Sequence, residues 1–334
     1  MALAPRHYSE ERDGRSPARQ DPVPVELPWD LTWDDLRGRI PTLHRPIGAF
    51  RTHKIQGLHQ TGRSQILTIR YAEQEGRLQN RTIFLKLTNP ARPEIPKYRY
   101  LMSRHAPVAP PLGAATTAAG EILMLQFLPT IGTTPDQADD LLELIATING
   151  ISNPPANIFR PPPGTSGYED RIHQSLIALL PTPAEASRWL RAYRQAAEGA
   201  RQMPLALNHN ELSYQQVGWT AAPDDDHPRL VVFDLETMSL RPQYTDLAGM
   251  LPSIAAQTGR AEQELFNLYL EKLDQRTGET TDRRLGWSRM LTLRIVRTFE
   301  SLPWLTTMID TAGIEAPEHA VARLGQDLIQ ADLE

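Results

Sequence analysis

The chain has 334 residues, enough for one two-lobed domain or two small ones with a sizeable core. Hydrophobic residues make up 40% and charged residues 22%, a globular balance, and the net charge of -5 lacks the basic footprint of a nucleic-acid binder. Cysteine is absent, which excludes disulfides, thiolate catalysis and cysteine-ligated metal centres and fits a reducing cytoplasm.

Residues 1–22 are polar, Arg-rich and Pro-containing, with no apolar stretch of the secretory type. Their mixed charge and few bulky apolar side chains predict a disordered tail. No run of about 18 apolar residues follows anywhere, so no membrane-spanning helix is expected. Leu27-Pro28-Trp29-Asp30-Leu31-Thr32-Trp33 brings the first bulky residues, and regular structure is expected from there or just beyond. The β-branched and aromatic run Ser64-Gln65-Ile66-Leu67-Thr68-Ile69-Arg70-Tyr71 predicts a strand. A polar turn at 73–77 and a second strand, Arg81-Thr82-Ile83-Phe84-Leu85-Lys86-Leu87, make the pair antiparallel.

A helix is expected over 94–105, its start confined by Pro90, Pro93 and Pro96. Residues 121–129 form a short buried-type strand, after which Leu141, Leu142, Leu144, Ile145 and Ile148 recur near a 3.6-residue period. The segment 154–167 holds five prolines and is a loop. Helices are expected over 168–180 and 184–202, then a short strand, Leu230-Val231-Val232-Phe233, and helices from Asp246 on. Strands first and helices later give an α+β chain with a β-rich front. Near its end, Trp287, Met290, Leu291, Ile295 and Phe299 fall at core spacing. The neighbouring Arg283, Arg284, Arg289, Arg294 and Arg297 form no clean stripe and are expected on a solvated surface.

Four features stand in an order that suggests chemistry. Lys86 lies in an apolar strand, where an ammonium needs a partner unless it turns to solvent. Leu207-Asn208-His209-Asn210-Glu211-Leu212 sets a carboxylate two residues after a histidine, and Gln216 adds a carboxamide five residues later. Eighteen residues after Gln216 an apolar strand ends on Asp234, a position from which a carboxylate can ligate Mg²⁺. Asp246-Leu247-Ala248 then opens a helix, twelve residues beyond Asp234. Each is common alone; together their spacing is informative. The nine histidines show no His-x-x-x-His spacing, which argues against zinc, and 224–226, an Asp triplet, suits a solvated loop.

In these features the sequence resembles the aminoglycoside phosphotransferase and choline kinase superfamily, over roughly residues 50–300. That family carries a His-Gly-Asp motif with Asn five residues after the Asp, then a strand ending in a metal-binding Asp and a downstream Asp-Leu-Ala. Pro107-Val108-Ala109-Pro110-Pro111 looks like its proline-rich turn and Met124-Leu125-Gln126-Phe127-Leu128-Pro129 like its hinge strand. The resemblance implies a two-lobed, protein-kinase-like α+β fold: a tail over 1–45, an antiparallel nucleotide-binding N-lobe over 46–129 and a mainly helical C-lobe over 130–334 carrying the acceptor site. It implies ATP and Mg²⁺. Lys86 would hold the α- and β-phosphates, with Glu94 as its acidic partner ahead of Glu73 or Glu75. The turn Thr61-Gly62-Arg63-Ser64 would cover phosphate through Gly62 and Ser64, although an ordinary hairpin turn fits it as well. Gln126 to Leu128 would meet the adenine, Asp234 and Gln216 the metal, and Glu211 the acceptor hydroxyl. His209 and Asp246 would brace the loop.

The departures are specific. Glu211 replaces the catalytic Asp, Asn210 the preceding Gly, and Gln216 the metal-binding Asn. Two of these lengthen a side chain by one methylene and keep its functional group. The expected function is phosphoryl transfer to a hydroxyl of a small molecule or peptide side chain; the alternative is a pseudokinase that binds nucleotide or scaffolds a protein partner. Neither reading involves nucleic acid or a membrane.

Overall fold

The computed structural model describes residues 6–7, 27–39, 45–53, 62–72, 78–160, 167–220, 228–307 and 317–331. Thr61, the turn at 73–77 with Glu73 and Glu75, residues 161–166, the triplet 224–226 and, except for Arg6 and His7, the first 22 residues lie outside the described residues. The chain divides into two compact units. One runs to Gly132 and also takes in Tyr214–Glu236; the other holds Thr133–Ser213 and the chain from Thr237 on.

In the front unit the chain runs through β1 (Arg6–His7), α1 (Trp33–Arg39), β2 (Arg45–His53), β3 (Ser64–Ala72), β4 (Leu78–Leu87), α2 (Ile95–Ser103), β5 (Pro111–Thr117), β6 (Gly120–Gln126) and β7 (Thr130–Ile131). Five of these strands make one antiparallel sheet in the order β2-β3-β4-β6-β5. Alternation along the strands gives this sheet a buried apolar face. Leu67 and Ile69, Ile83 and Leu85, and Ile122 and Met124 form one core with Leu31 and Leu36. Residues 27–39, which the boundaries drawn from sequence put in the tail, are therefore part of the front core, with Leu36 fully buried on α1. The same alternation turns Lys86, between Leu85 and Leu87, to the opposite face. β5 escaped the sequence reading because Gly113, Ala114 and Ala115 carry no strand signature.

Residues 214–236 join this unit through two short strands, β9 (Val217–Trp219) and β10 (Leu230–Val232). These extend a small sheet in the order β1-β7-β9-β10. The close pairing of β7 with β9 needs a glycine: a Cβ on Gly218 would lie 2.8 Å from the Thr130 carbonyl and 2.9 Å from Leu128.

The other unit is helical: α3 (Ala138–Asn149), α4 (Tyr168–Leu179), α5 (Pro183–Arg201), α6 (Thr245–Thr258), α7 (Glu262–Thr277), α8 (Arg283–Thr307) and α9 (Pro317–Gln330). All five residues of the stripe read on α3 are buried. Thr182 caps α5 by accepting the Glu185 N–H at 3.2 Å, with Pro183 at the first helical position. A two-stranded ribbon pairs β8 (Leu205–Asn208) with β11 (Ser239–Pro242), setting Ser239 opposite Asn208. α4, α5, α6 and α9 all pack on α8, and α3 packs on α7. Among the described residues no helix is long and apolar enough to cross a membrane.

α8 corrects one expectation. Met290, Leu291, Ile295 and Phe299 are buried as their spacing predicts, but Arg294 is buried with them and Arg297 is half-buried. The Arg294 guanidinium donates from Nε to Asp327 Oδ2 on α9 at 2.8 Å, and its other nitrogens reach Asp327 Oδ1 and Glu262. Burial raises the Asp327 pKa, and the facing guanidinium works against that rise. Removing one member of a buried pair strands the other charge. Arg294→Met is therefore expected to lower unfolding free energy by about 3–5 kcal/mol, and adding Asp327→Leu to recover most of it, as read from urea denaturation midpoints.

Candidate active site

The side chain of Lys86 is 10% exposed, and its charge is answered from two directions. Its ammonium lies 2.6 Å from Glu94 Oε2 and donates to Asp234 Oδ1 at 2.5 Å, with Glu236 Oε2 farther off at 3.8 Å. Glu94 is fully buried at the residue just before α2, and Asp234 directly follows β10 and Phe233. Burial by itself would lower the Lys86 pKa; the Glu94 and Asp234 carboxylates outweigh it and hold the group above the ordinary lysine value. Burial pushes the Glu94 carboxyl up, against the pull of Lys86. Ser64 lies opposite Lys86 in the β3–β4 register, and Gly62, with φ +69°, turns the chain into β3. Arg63, between them, donates to the Leu87 carbonyl at 3.0 Å and to Glu236 at 3.4 Å.

Asp234 stands on a left-handed turn, φ +62°, which few residues other than glycine adopt. Two contacts hold its neighbours. The Phe233 N–H donates to the Gln216 carbonyl at 3.0 Å, one step beyond Val232 opposite Val217, the end of the β9–β10 register. Lys97, one turn along α2 from Glu94, donates at 2.8 Å to both the Leu235 and Glu236 carbonyls. At the hinge strand, the Gln126 N–H is already spent on the Pro110 carbonyl at 2.9 Å, and Leu128 is buried against Gly218.

The loop after β8 is built in the other unit. His209 and Asn208 are fully buried, and Asp246, which opens α6 with Thr245, turns its carboxylate on the loop. Asp246 Oδ2 accepts the His209 N–H at 2.6 Å, and Oδ1 accepts the Asn210 N–H at 2.7 Å. The Asp246 N–H in turn donates to Asn208 Oδ1 at 3.1 Å. Burial raises the Asp246 pKa, and His209, the two N–H donors and Arg297 work against it. From below, Asn149 of α3 donates to the Leu207 carbonyl at 2.7 Å, and Tyr269 of α7 donates to Asn149 Oδ1 at 2.7 Å. Asn210 has φ +74°, the backbone for which a glycine is the easy choice. Its carboxamide donates to the Thr237 carbonyl at 2.6 Å and to Ser239 Oγ at 2.9 Å, while its carbonyl accepts from Arg297 at 3.1 Å. Glu211 follows with its side chain exposed.

The front unit thus brings together Lys86, Glu94 and Asp234, with Ser64 opposite Lys86 and the Gln216 backbone bonded to Phe233, while His209, Asn210 and Asp246 cluster in the helical unit, where Glu211 follows them in the chain. Sequence reasoning missed Lys97, Glu236, Arg63 and the anchoring of Asn210. The signal for Lys97 is its place three residues after Glu94, on the same helical face. Among the described residues no three His, Asp or Glu side chains could hold a metal ion by themselves. Asp234, 40% exposed, instead offers a hard oxygen donor of the kind that suits a magnesium ion completed by phosphate and water.

Asp246 is the acceptor for two main-chain donors at once. Asp246→Ala leaves both without a partner and is expected to cost about 2–4 kcal/mol of stability. Urea denaturation measures the loss, and limited proteolysis should show faster cleavage within 208–213.

No family model matches the chain, and no curated protein matches its sequence. Solved structures do match it. The ethanolamine kinase of Plasmodium vivax superposes with a TM-score of 0.54 at 11% identity, over 85% of this chain and 83% of that one. A choline/ethanolamine kinase family protein from Mesorhizobium loti gives 0.53 at 14% identity, over 90% and 96%. Amicoumacin kinase, solved in complex with AMP-PNP, Ca²⁺ and Ami, gives 0.53 at 13% identity, over 90% and 96%. The chain has the α+β, kinase-like fold of these small-molecule kinases, the fold its sequence resemblance implied.

Proposed function

We propose that the chain is an ATP- and Mg²⁺-dependent phosphotransferase acting on a hydroxyl of a small molecule or peptide side chain. The observation that carries this reading is the buried Lys86 held between Glu94 and Asp234. An ammonium in that setting is a fixed charge aimed beside a half-exposed carboxylate, the pairing a phosphate chain and its metal require. The bound nucleotide of amicoumacin kinase, named with that structure, supports the same use of the fold.

On this reading Lys86 binds the phosphates and Glu94 keeps it charged and oriented. Asp234 and Gln216 would hold Mg²⁺, which when bound would offset the negative charge of the phosphates. Glu211, assigned by its place two residues after His209 and five before Gln216, orients the acceptor hydroxyl and takes its proton. The hydroxyl oxygen bonds to the γ-phosphorus as the bond to the β,γ-bridging oxygen breaks, and ADP leaves with that electron pair. The transition state of such a transfer is loose, so orientation matters more than basicity, and a Glu serves if its backbone is held where the longer side chain fits.

ATP with Mg²⁺ is expected to raise the melting temperature, by mass action on the folded state. Asp234→Ala should remove the Mg²⁺-dependent part, and Lys86→Met most of the shift due to ATP. No shift at millimolar ATP would favour a scaffolding role instead.

Glu211→Gln keeps length and removes charge. Turnover, measured as ATP hydrolysis or transfer to an acceptor, is expected to fall about 100- to 10,000-fold with ATP affinity nearly unchanged. Glu211→Asp with Gln216→Asn should lower activity in a site adapted to the longer side chains. A gain would mean that the site has decayed from the Asp and Asn pattern.

A further inference from the structure

Lys97 is a buried cation without a part in the chemistry described above. It is 5% exposed, yet its ammonium hydrogen bonds run to two main-chain carbonyls, Leu235 and Glu236, at 2.8 Å each. Burial brings its pKa down to about 8, with Glu94 and Glu236 working in the opposite direction. An apolar side chain of the same length would fill this place on α2 without the cost of drawing a charge out of water. What the ammonium does, and a methionine cannot, is grip the peptide units on the far side of Asp234. Those units benefit from a grip: Asp234 has φ +62° with a Cβ, a conformation that aspartate tolerates better than most residues but that still costs free energy and is held by its neighbours. On the near side, the Phe233 N–H is tied to Gln216. Lys97 supplies the tie on the other.

We propose that Lys97 is a positioning residue for the metal-binding carboxylate, clamping the two carbonyls after Asp234 so that the left-handed turn presents the side chain to the metal. This rests on the assignment of Asp234 as the metal ligand. The clamp makes α2 a shared support: the residue before the helix orients Lys86, and the next turn orients Asp234. Phosphate charge and metal site are thereby set from one element.

The test is the gain in ATP affinity produced by Mg²⁺, measured by calorimetry as the ratio of dissociation constants without and with the ion. Loss of an outer-shell partner typically weakens metal binding about 10- to 100-fold. Lys97→Met is expected to leave affinity for metal-free ATP within about two-fold and to cut the Mg²⁺ gain by about ten-fold or more. Lys97→Gln, which keeps a neutral N–H donor group on a shorter side chain, should fall between, and it decides the matter if the methionine variant does not fold. A role confined to packing would lower the melting temperature and leave the Mg²⁺ gain intact in both variants, which overturns the proposal. A parent protein that binds ATP with no Mg²⁺ gain removes the metal role of Asp234 itself, a different failure and visible before any variant is made.

Discussion

A lysine drawn out of water must be answered on the spot, because a lone buried ammonium would shed its proton or unfold its surroundings. Lys86 is answered by carboxylates that lie far apart in the chain: Glu94 just before α2, and Asp234 after β10. Much of the front unit follows from that requirement. β4 must turn Lys86 away from the Leu85 face, α2 must start where Glu94 reaches it, and 214–236 must return to deliver Asp234. A shift of one residue in the register of β4 would send Lys86 into the apolar core and dismantle all three.

The helical unit solves a different problem, that of holding an irregular loop still. Loops leave main-chain groups without ladder partners, and around 207–210 side chains supply them: Asp246 of α6 accepts two N–H groups, while Asn149 of α3 and Arg297 of α8 donate to the Leu207 and Asn210 carbonyls. The two N–H groups fall on separate oxygens of the one carboxylate. Asn210 stands where the resembling family has glycine, and its carboxamide turns a backbone accommodation into a knot between β8 and β11. The Asn210 carboxamide therefore ties down the backbone immediately before Glu211.

Parts of this were legible in the sequence and parts were not, for identifiable reasons. β3, β4 and α3 announced themselves because each repeats its pattern over seven or more residues, long enough for a period to emerge. Lys86 and Asp234 stood out because each interrupts or ends an apolar run. β8, β9 and β11 are three or four residues long and carry no period of their own; they exist because their partners do. Arg294 defeated the reading of its neighbours as a solvated surface because burial of a charge depends on Asp327, thirty-three residues on, and helical spacing says nothing about such a partner. Lys97 was hidden likewise: its acceptors are carbonyls, which every residue has.

The discontinuity of the front unit also orders events during synthesis. Its five-stranded sheet is complete once the chain has passed Gln126, but Asp234 is made only after α3, α4 and α5. Until then the nascent sheet carries Lys86 with Glu94 alone, and Lys97 with no carbonyls to grip. Domains generally fold as units from the N-terminus as they emerge, at about 5–20 residues per second. Here the first unit cannot close on emergence; it waits, for several seconds, for a segment that lies beyond much of the second. The two units are thus interleaved in time as well as in sequence, and a ribosome stalled between residues 132 and 214 would hold a sheet whose buried cations lack their last partners.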